Sequence, residues 1–417
     1  MNDSALEARG ESVEEFRARA SAWLAANMPR LGPNTAPPDR DDEATWRRAR
    51  QLQRRLHDGG FAGICFPREY GGLGLDFAYQ AAFNEEAVPY EMPVVLNIPS
   101  LTICSATLLD VGSEEQKSHH IGAALRGDEV LCQLLSEPSG GSDLAGVVTR
   151  AERRSGGWVL NGAKTWSSSA FAADFGLCLA RTDWNVPKHE GLTMFLVPLG
   201  APGLTMRRIR QVNGSNEFCE EFFDDVELSD EHVVGEVGGG WTVASRQLFH
   251  ERRAVAKGSE FANCAATEGG RGGAIDVVAL VDSTGQGDDR WARRLAGRAL
   301  THRVVEKALG DHVFHGVSTG QMPAASGSLS RLFYGTCENL VLDTALALTG
   351  SAAVVGDDAT MLAVGQKHLS RQSVCLGGGT TEIARNIIAE RVLGFPREYA
   401  ADRGVPFKDV PRNGGHR

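Results

Sequence analysis

The sequence predicts an α+β chain in which a small β domain is set between two helical regions. Three observations carry this. Apolar residues recur at helical spacing through the first stretch of chain, short apolar runs bounded by turn residues replace them from about residue 131, and long helical patterns return after Gly238-Gly239-Gly240. The expected domains are residues 1–130, 131–237 and 238–417. A length of 417 residues also exceeds what one compact core usually holds.

In the first region, Val13 to Met28 places Phe16, Ala20, Trp23 and Leu24 on one helical face. A Pro-rich break follows at Pro33 to Pro38, and a second helix fits Ala44 to Asp58. Pro67 to Gly74 is a glycine-rich turn, with helices expected again at Phe77–Ala87 and Leu101–Leu109. In the middle region, Val159-Leu160-Asn161-Gly162 predicts a strand entering an Asn-Gly turn. Gly176–Ala180, Leu192–Leu199 and Phe218–Val226 are further strand candidates. In the last region, helices are expected at Trp241–Ala266, Asp289–Val317, Ser328–Gly350 and Thr380–Leu393. Gly269–Gly273 and Gly285–Asp288 are expected loops, and the last twenty residues a loose tail.

A net charge of −10, spread along the chain, disfavours nucleic acid as a partner. No apolar run approaches the ~20 residues of a membrane span. The opening Met1-Asn2-Asp3-Ser4-Ala5-Leu6-Glu7 has no signal-peptide pattern, so a cytoplasmic enzyme is expected. Eight cysteines form no Cys-x-x-Cys pair and read as reduced, mostly buried thiols. His119-His120 is the one His pair, and no metal is expected.

Three segments carry chemistry. Ser136-Glu137-Pro138-Ser139-Gly140-Gly141-Ser142-Asp143 combines a fixed proline, glycines that let the main chain approach a ligand, and the hydroxyls of Ser136 and Ser142. Such a loop suits the polar edge of a flat ring and a nearby phosphate or pantetheine; it also suits an ordinary turn closing a β domain. Lys164-Thr165-Trp166-Ser167-Ser168-Ser169 sets an indole beside three hydroxyls, fit for a flavin ring or for the rim of a strand. Gly377-Gly378-Gly379-Thr380 opens a helical pattern, with Thr380 as its N-cap.

Together and in this order, these segments resemble the acyl-CoA dehydrogenase family. The resemblance spans most of the chain, from Pro67–Gly74 through Gly235–Trp241 to the block ending at Arg391. It implies a helical–β–helical subunit, FAD, and assembly as homo- or heterotetramers or as dimers. It implies that Leu134, Ser136, Gly141 and Ser142 meet the cofactor, with Ser142 also near substrate. It further places Trp166, Ser167 and Ser168 at the flavin ring, and Thr380 and Glu382 near the cofactor.

The reaction so implied removes an α-proton with a carboxylate while the β-hydride passes to flavin N5, leaving an α,β-unsaturated acyl thioester. Many family members carry a Glu immediately before the terminal Gly-Thr; here that position is Gly378. Another branch places the base on the long helix after the β domain, ahead of an Arg, where this chain has His250-Glu251-Arg252-Arg253. Glu251 shares a helical stripe with Trp241, Ala244, Leu248 and Val255, and desolvation there is expected to raise its pKa toward that of a useful base. A structural ion pair with an arginine is the alternative. Arg252 is implied to orient the carboxylate or contact substrate. The Gly378 amide, with a flavin ribityl hydroxyl, is implied to polarise the thioester carbonyl. Glu382 and Glu390 read as structural, with Glu390-Arg391 as a helix-surface pair.

One family feature is missing. Between Phe261 and Arg298 there is no Arg-x-x-Phe-Gly segment of the kind that meets the FAD pyrophosphate of a neighbouring subunit. Divergent bacterial members share this, including some in steroid side-chain oxidation and some that work as mixed tetramers. Expected partners are an acyl-CoA or a carrier-protein thioester, and an electron-transfer flavoprotein or similar acceptor. The alternatives are a flavin oxygenase or oxidase on the same fold, and a non-catalytic subunit of a mixed tetramer.

Overall fold

The computed structural model describes residues 10–32, 35, 38–255, 259–263 and 275–411. The chain divides into two compact units. One comprises Met1–Ile209, Glu217–Gly270 and Asp402–Arg417; the other comprises Arg210–Asn216 and Arg271–Ala401.

The first unit opens with α1 (Val13–Asn27), started by a capping box in which Ser12 and Glu15 satisfy each other's backbone amides. Phe16, Ala20 and Leu24 form its buried face, as their spacing predicts, against Leu52 and Leu56 of α2 (Glu43–Asp58) and Phe83 of α3 (Phe77–Ala87). A π-helical segment (Asn97–Ser105), α4 (Ala106–Val111), α5 (Glu114–Gln116), a π turn (Lys117–Ile121) and α6 (Gly122–Arg126) complete this layer. Contrary to expectation, one stretch, Val94–Val111, is apolar and long enough to cross a membrane by length and composition. It is 72% buried inside the fold, and Leu96, Leu101, Cys104 and Leu108 belong to the core.

The β domain is one sheet of β1 (Leu131–Leu134), β2 (Arg150–Arg154), β3 (Gly157–Ser168), β4 (Phe175–Arg181), β5 (Leu192–Pro198), β6 (Leu204–Ile209), β7 (Phe218–Leu228) and β8 (Val233–Val234). The strands run in the order β6-β7-β3-β2-β4-β5-β8, and β1 pairs parallel with β4. Alternation decides what each face covers. Leu177, Leu179, Met194 and Leu196 pack toward the helices, whereas Cys178, Ala180, Phe195 and Val197 form a second core behind the sheet. Burial on both faces explains why β4 and β5 read as nearly continuous apolar runs.

Asn161-Gly162 does not turn the chain. β3 runs through it, with a register shift between Leu160 and Gly162 opposite β7. A Cβ at Gly162 would lie 2.7 Å from the Thr149 Cα, so the glycine serves close backbone approach in a bulge rather than a hairpin. β2 and β6 escape a sequence reading because they present one and no fully buried side chain respectively.

The expected helix Trp241–Ala266 is shorter: α7 spans Gly240–Val255, and Ser259–Asn263 is not helical. Gly269–Gly273 lies outside the described residues. The tail is not loose as far as residue 411. Phe407 is buried beneath the Arg181 guanidinium, 3.5 Å from its ring centroid, and its amide donates to Val186 O at 2.9 Å.

The second unit contains α8 (Val277–Ser283), α9 (Arg290–Ser318), α10 (Gly327–Thr349), α11 (Ala359–Ser370) and α12 (Thr381–Ile387), the last continued by a π segment (Ile388–Val392). Ala292, Ala296 and Ala299 of α9 meet Cys337, Val341, Ala345 and Leu348 of α10 in its core. α8 and α11 were not anticipated; α8 has only seven residues, too few for a periodic signal.

Candidate active site

Within the first unit, β1 ends in the Ser136–Asp143 loop. The loop is a tight turn closed by two backbone bonds between Glu137 and Gly140, at 3.1 and 2.9 Å. Its anchor is the Glu137 side chain, which points inward. The carboxylate accepts the amides of Val148 and Thr149 at 2.7 and 2.8 Å and Lys164 Nζ at 2.9 Å. Lys164 is fully buried and also donates to Leu135 O at 3.0 Å. Burial pushes Glu137 up, but Lys164 and the donors from Val148 and Thr149 outweigh it and hold the carboxyl below its ordinary range. With the loop anchored from below, Ser139 to Ser142 stand exposed and Ser136 half-buried. A Cβ at Gly141 would approach Ser136 Oγ to 3.1 Å, so a side chain there would require the Ser136 hydroxyl to shift. Leu134 lies at 0% exposure in the sheet core, which limits any cofactor contact from it to main-chain atoms.

The neighbouring strand presents the indole. The Ser136 carbonyl accepts from Thr165 N at 2.9 Å, tying the loop to β3. A bulge between Thr165 and Ser167 puts Trp166 at φ 64 and turns it outward. Trp166 is 57% exposed, so it is no core tryptophan. Ser167 takes the opposite direction: it is buried, and its hydroxyl donates to Glu221 Oε2 at 2.7 Å. Ser167 is therefore committed to the sheet interior, whereas Ser168 is half-buried. Burial pushes Glu221 up to about 8, against the opposing hydrogen bond from Ser167 and charge of Lys164.

Glu251 lies on α7, half-buried, and accepts Gln133 Nε2 on its Oε2 at 3.2 Å. Gln133 is on β1, three residues before Ser136, so the strand that leads into the loop also holds the carboxylate. Cys104 is close enough that, after burial, the charge of Glu251 also pushes its thiol up. α7 is fixed one residue earlier. His250 Nε2 and Asp110 Oδ2 are 2.9 Å apart, and Arg246 meets the same oxygen at 3.1 Å. Burial favours neutral His250, only partly offset by Asp110. Arg253 forms an ion pair with Glu260. Arg252 is half-buried. Trp241, Ala244 and Leu248 continue the stripe of Glu251 as expected, but Val255 is exposed.

In the second unit, Gly378 and Gly379 take φ values of 74 and 88, which glycine alone adopts freely. Thr380 caps α12 by accepting Ile383 N at 3.2 Å, as its position predicts. Arg331 of α10 reaches this turn: its Nη2 donates to Gly377 O at 2.6 Å and to Gly379 O at 3.0 Å. Glu382 is exposed beside Arg385 at 3.6 Å. Glu390 meets Arg397 at 3.6 Å rather than Arg391.

His119, His120 and Glu129 bring three potential metal donors within 4.8 Å of one another. The Glu129 carboxylate already takes both rings, at 3.2 and 2.7 Å, which a hydrogen-bonded His–Glu–His group explains. The described cysteines are all free thiols, and Cys264 lies outside the described residues.

Gln133, Lys164, Glu221 and Arg331 were not singled out from the sequence. Their partners lie 118, 27, 54 and 46 residues away, and no local pattern marks such pairs.

With the helical–β–helical order, the loop, the indole and the glutamate placed, comparison with known proteins gives the family. Models of the acyl-CoA dehydrogenase N-terminal, middle and C-terminal domains match residues 11–128, 132–226 and 238–393. Acyl-CoA dehydrogenase IpdE1 of Mycobacterium tuberculosis is 33% identical over 93% of this chain and 99% of its own. Acyl-CoA dehydrogenase FadE34 of the same organism is 34% identical over 83% of this chain and 46% of its own. A solved structure, the Tcur3481-Tcur3483 steroid ACAD, aligns with a TM-score of 0.72 at 26% identity, covering 93% of this chain and 99% of that one. The chain belongs to the acyl-CoA dehydrogenase family. It is an oxidoreductase acting on acyl-CoA, in a family that is generally flavin-dependent.

Proposed function

We propose that the protein is an FAD-dependent acyl-CoA dehydrogenase in which Glu251 removes the α-proton of the acyl thioester. The observation that carries this is the bond from Gln133 to Glu251, which sets the carboxylate beside the strand that feeds the Ser136–Asp143 loop. Gln133 engages Oε2 and so holds the carboxylate in one orientation. The half-buried position keeps part of its hydration away, which favours a base over a solvated ion. Arg252 follows directly on the helix and is assigned to the substrate side.

The residues fit a flavin. An indole 57% exposed on a positive-φ bulge costs hydrophobic burial unless a flat partner covers it. The Ser136–Asp143 loop is tied to the adjoining strand by the bond from Thr165 N to Ser136 O; the Ser136, Ser142 and Ser168 hydroxyls and the Gly141 amide, with Thr380 and Glu382, are assigned to the cofactor by the family resemblance. When bound, FAD supplies the two-electron acceptor for the β-hydride. Gly378 contributes an amide toward the thioester carbonyl, a role that needs no side chain. An electron-transfer flavoprotein or a similar acceptor is the partner this reading requires, with a homo- or heterotetramer as the assembly. The free thiols suit the reducing cytoplasm.

The test is anaerobic flavin bleaching with butanoyl-, isovaleryl-, octanoyl-, palmitoyl- and a steroid-propanoyl-CoA. Wild type should bleach with at least one. Glu251→Gln should keep its yellow colour and bind thioester, yet bleach more slowly by roughly a thousandfold or more. Unchanged turnover in that variant would sink the assignment of the base. A protein that purifies colourless and cannot be loaded with FAD would instead support a non-catalytic subunit.

A further inference from the structure

We infer that Arg331 is the positioning residue of the terminal glycine turn, aiming the Gly378 amide at the acyl thioester carbonyl. The inference rests on the dehydrogenase reading above and adds to it the group that gives the amide its direction.

Three consecutive glycines have the least intrinsic preference for any one backbone shape. A hydrogen-bond donor carried on such a turn polarises a carbonyl well only if something else fixes it, because stabilisation of developing charge depends on donors already in place. Arg331 fixes it. One nitrogen of its guanidinium binds both Gly377 O and Gly379 O, at 2.6 and 3.0 Å, drawing two alternate carbonyls to the same point. In a planar trans peptide the carbonyl and the following N–H point in opposite directions. Holding Gly377 O therefore turns the Gly378 N–H away from Arg331, and holding Gly379 O does the same for Thr380. Among the described residues, the Gly378 amide meets no hydrogen-bond acceptor, so the donor is left for a ligand.

The rest of α10 is shaped to seat this segment. Arg331, Gly335 and Asn339 lie at successive four-residue steps on one face. A Cβ at Gly335 would come within 3.3 Å of Cys375 Sγ and 3.4 Å of Thr381 Cγ2, so glycine allows the turn to close onto the helix. Asn339 Nδ2 donates to Cys375 Sγ at 3.1 Å just ahead of the glycines. Arg331 is only 8% exposed, and its Nη2 is directed at the two carbonyls of the turn.

Two readouts test this on FAD-loaded protein, with Arg331→Met and, in case that variant folds poorly, Arg331→Lys. The first is the infrared carbonyl band of a bound 1-13C-labelled trans-2-enoyl-CoA, matched to the best substrate of the panel above. In wild type and in Glu251→Gln the band should be shifted to lower frequency than in solution. In Arg331→Met it should move back toward the solution position, with kcat lower by roughly tenfold to a hundredfold and KM changed less; Arg331→Lys should fall between. The second is hydrogen exchange of the ligand-free protein, where residues 376–382 should exchange faster in Arg331→Met while the core of α10 does not. Folded Arg331 variants that keep both the shifted band and kcat overturn the inference and leave the dehydrogenase reading intact. A flavin-loaded wild type that no thioester in the panel bleaches overturns that reading, and this inference with it.

Discussion

Two glycine-rich segments of this chain are held in opposite ways. The Ser136–Asp143 loop is anchored from within, by its own Glu137 reaching into the sheet to Lys164 and two amides. The Gly377–Gly379 turn has no side chain to anchor it and is held from outside, by Arg331 of a neighbouring helix. A self-anchored loop couples its shape to the stability of the domain, because its buried charge must be answered wherever the domain folds. An externally held turn is separable: its clamp can fail while the helices around it stay packed. The same need for a preorganised main chain is met once by the loop's own buried side chain and once by a side chain from a neighbouring helix.

The largest expected effect is at the inward anchor. Lys164→Met leaves Glu137 buried without its cation, and unfolding by urea should show a loss of about 3–5 kcal/mol. If Lys164→Met is tolerated within about 1 kcal/mol, Glu137 has taken up a proton or found water, and the contrast between the two regions weakens. Glu221, on the strand next to Lys164, sharpens the same point through pH. Its carboxyl is pushed up from an ordinary 4.5 to about 8 in the folded protein. Between those values the unfolded chain releases a proton that the folded chain keeps, so the contribution of Glu221 to stability is most favourable below about 4.5 and falls as pH rises toward 8. Glu221→Gln, which keeps a neutral partner for Ser167, should flatten that decline, whose full size is on the order of a few kcal/mol. A melting-temperature profile across pH 4.5 to 8 that is the same in both proteins would remove Glu221 from the account. The smallest effect belongs to the externally held turn. Gly378→Ala puts a Cβ on a residue at φ 74 and should cost about 1–2 kcal/mol in thermal unfolding. A cost matching that of Lys164→Met would mean the turn is as deeply coupled as the loop.

Much of the site was legible because its signals are local. Pro138 with Gly140 and Gly141, the indole of Trp166 among serines, and Thr380 before a helix each announce themselves within a few residues. Glu251 was legible through its helical stripe, which the structure retains except at Val255. What misled was also local. Asn161-Gly162 carries the composition of a hairpin, yet twelve residues of β3 run through it because β7 pairs on both sides of the bulge. Ser167 and Ser168 look equivalent in sequence, and only the fold sends the Ser167 hydroxyl to Glu221 and leaves Ser168 half-buried. The tail looked unstructured because its composition is polar, while Phe407 gains its place from Arg181, more than two hundred residues earlier.

The sequence by itself determined the helical–β–helical order, the glycine-rich Ser136–Asp143 loop and the Thr380 cap, while the proposal of Glu251 as base, with Gly378 at the usual position, came from the family resemblance. The first three follow from periodicity and turn chemistry, which act over short spans. Only the tertiary structure decided which groups hold those parts still: Gln133 on Glu251, Lys164 under Glu137, Ser167 on Glu221 and Arg331 over the glycine turn. Each is a polar contact between distant segments, made worthwhile by burial that exists only once the strands and helices have packed.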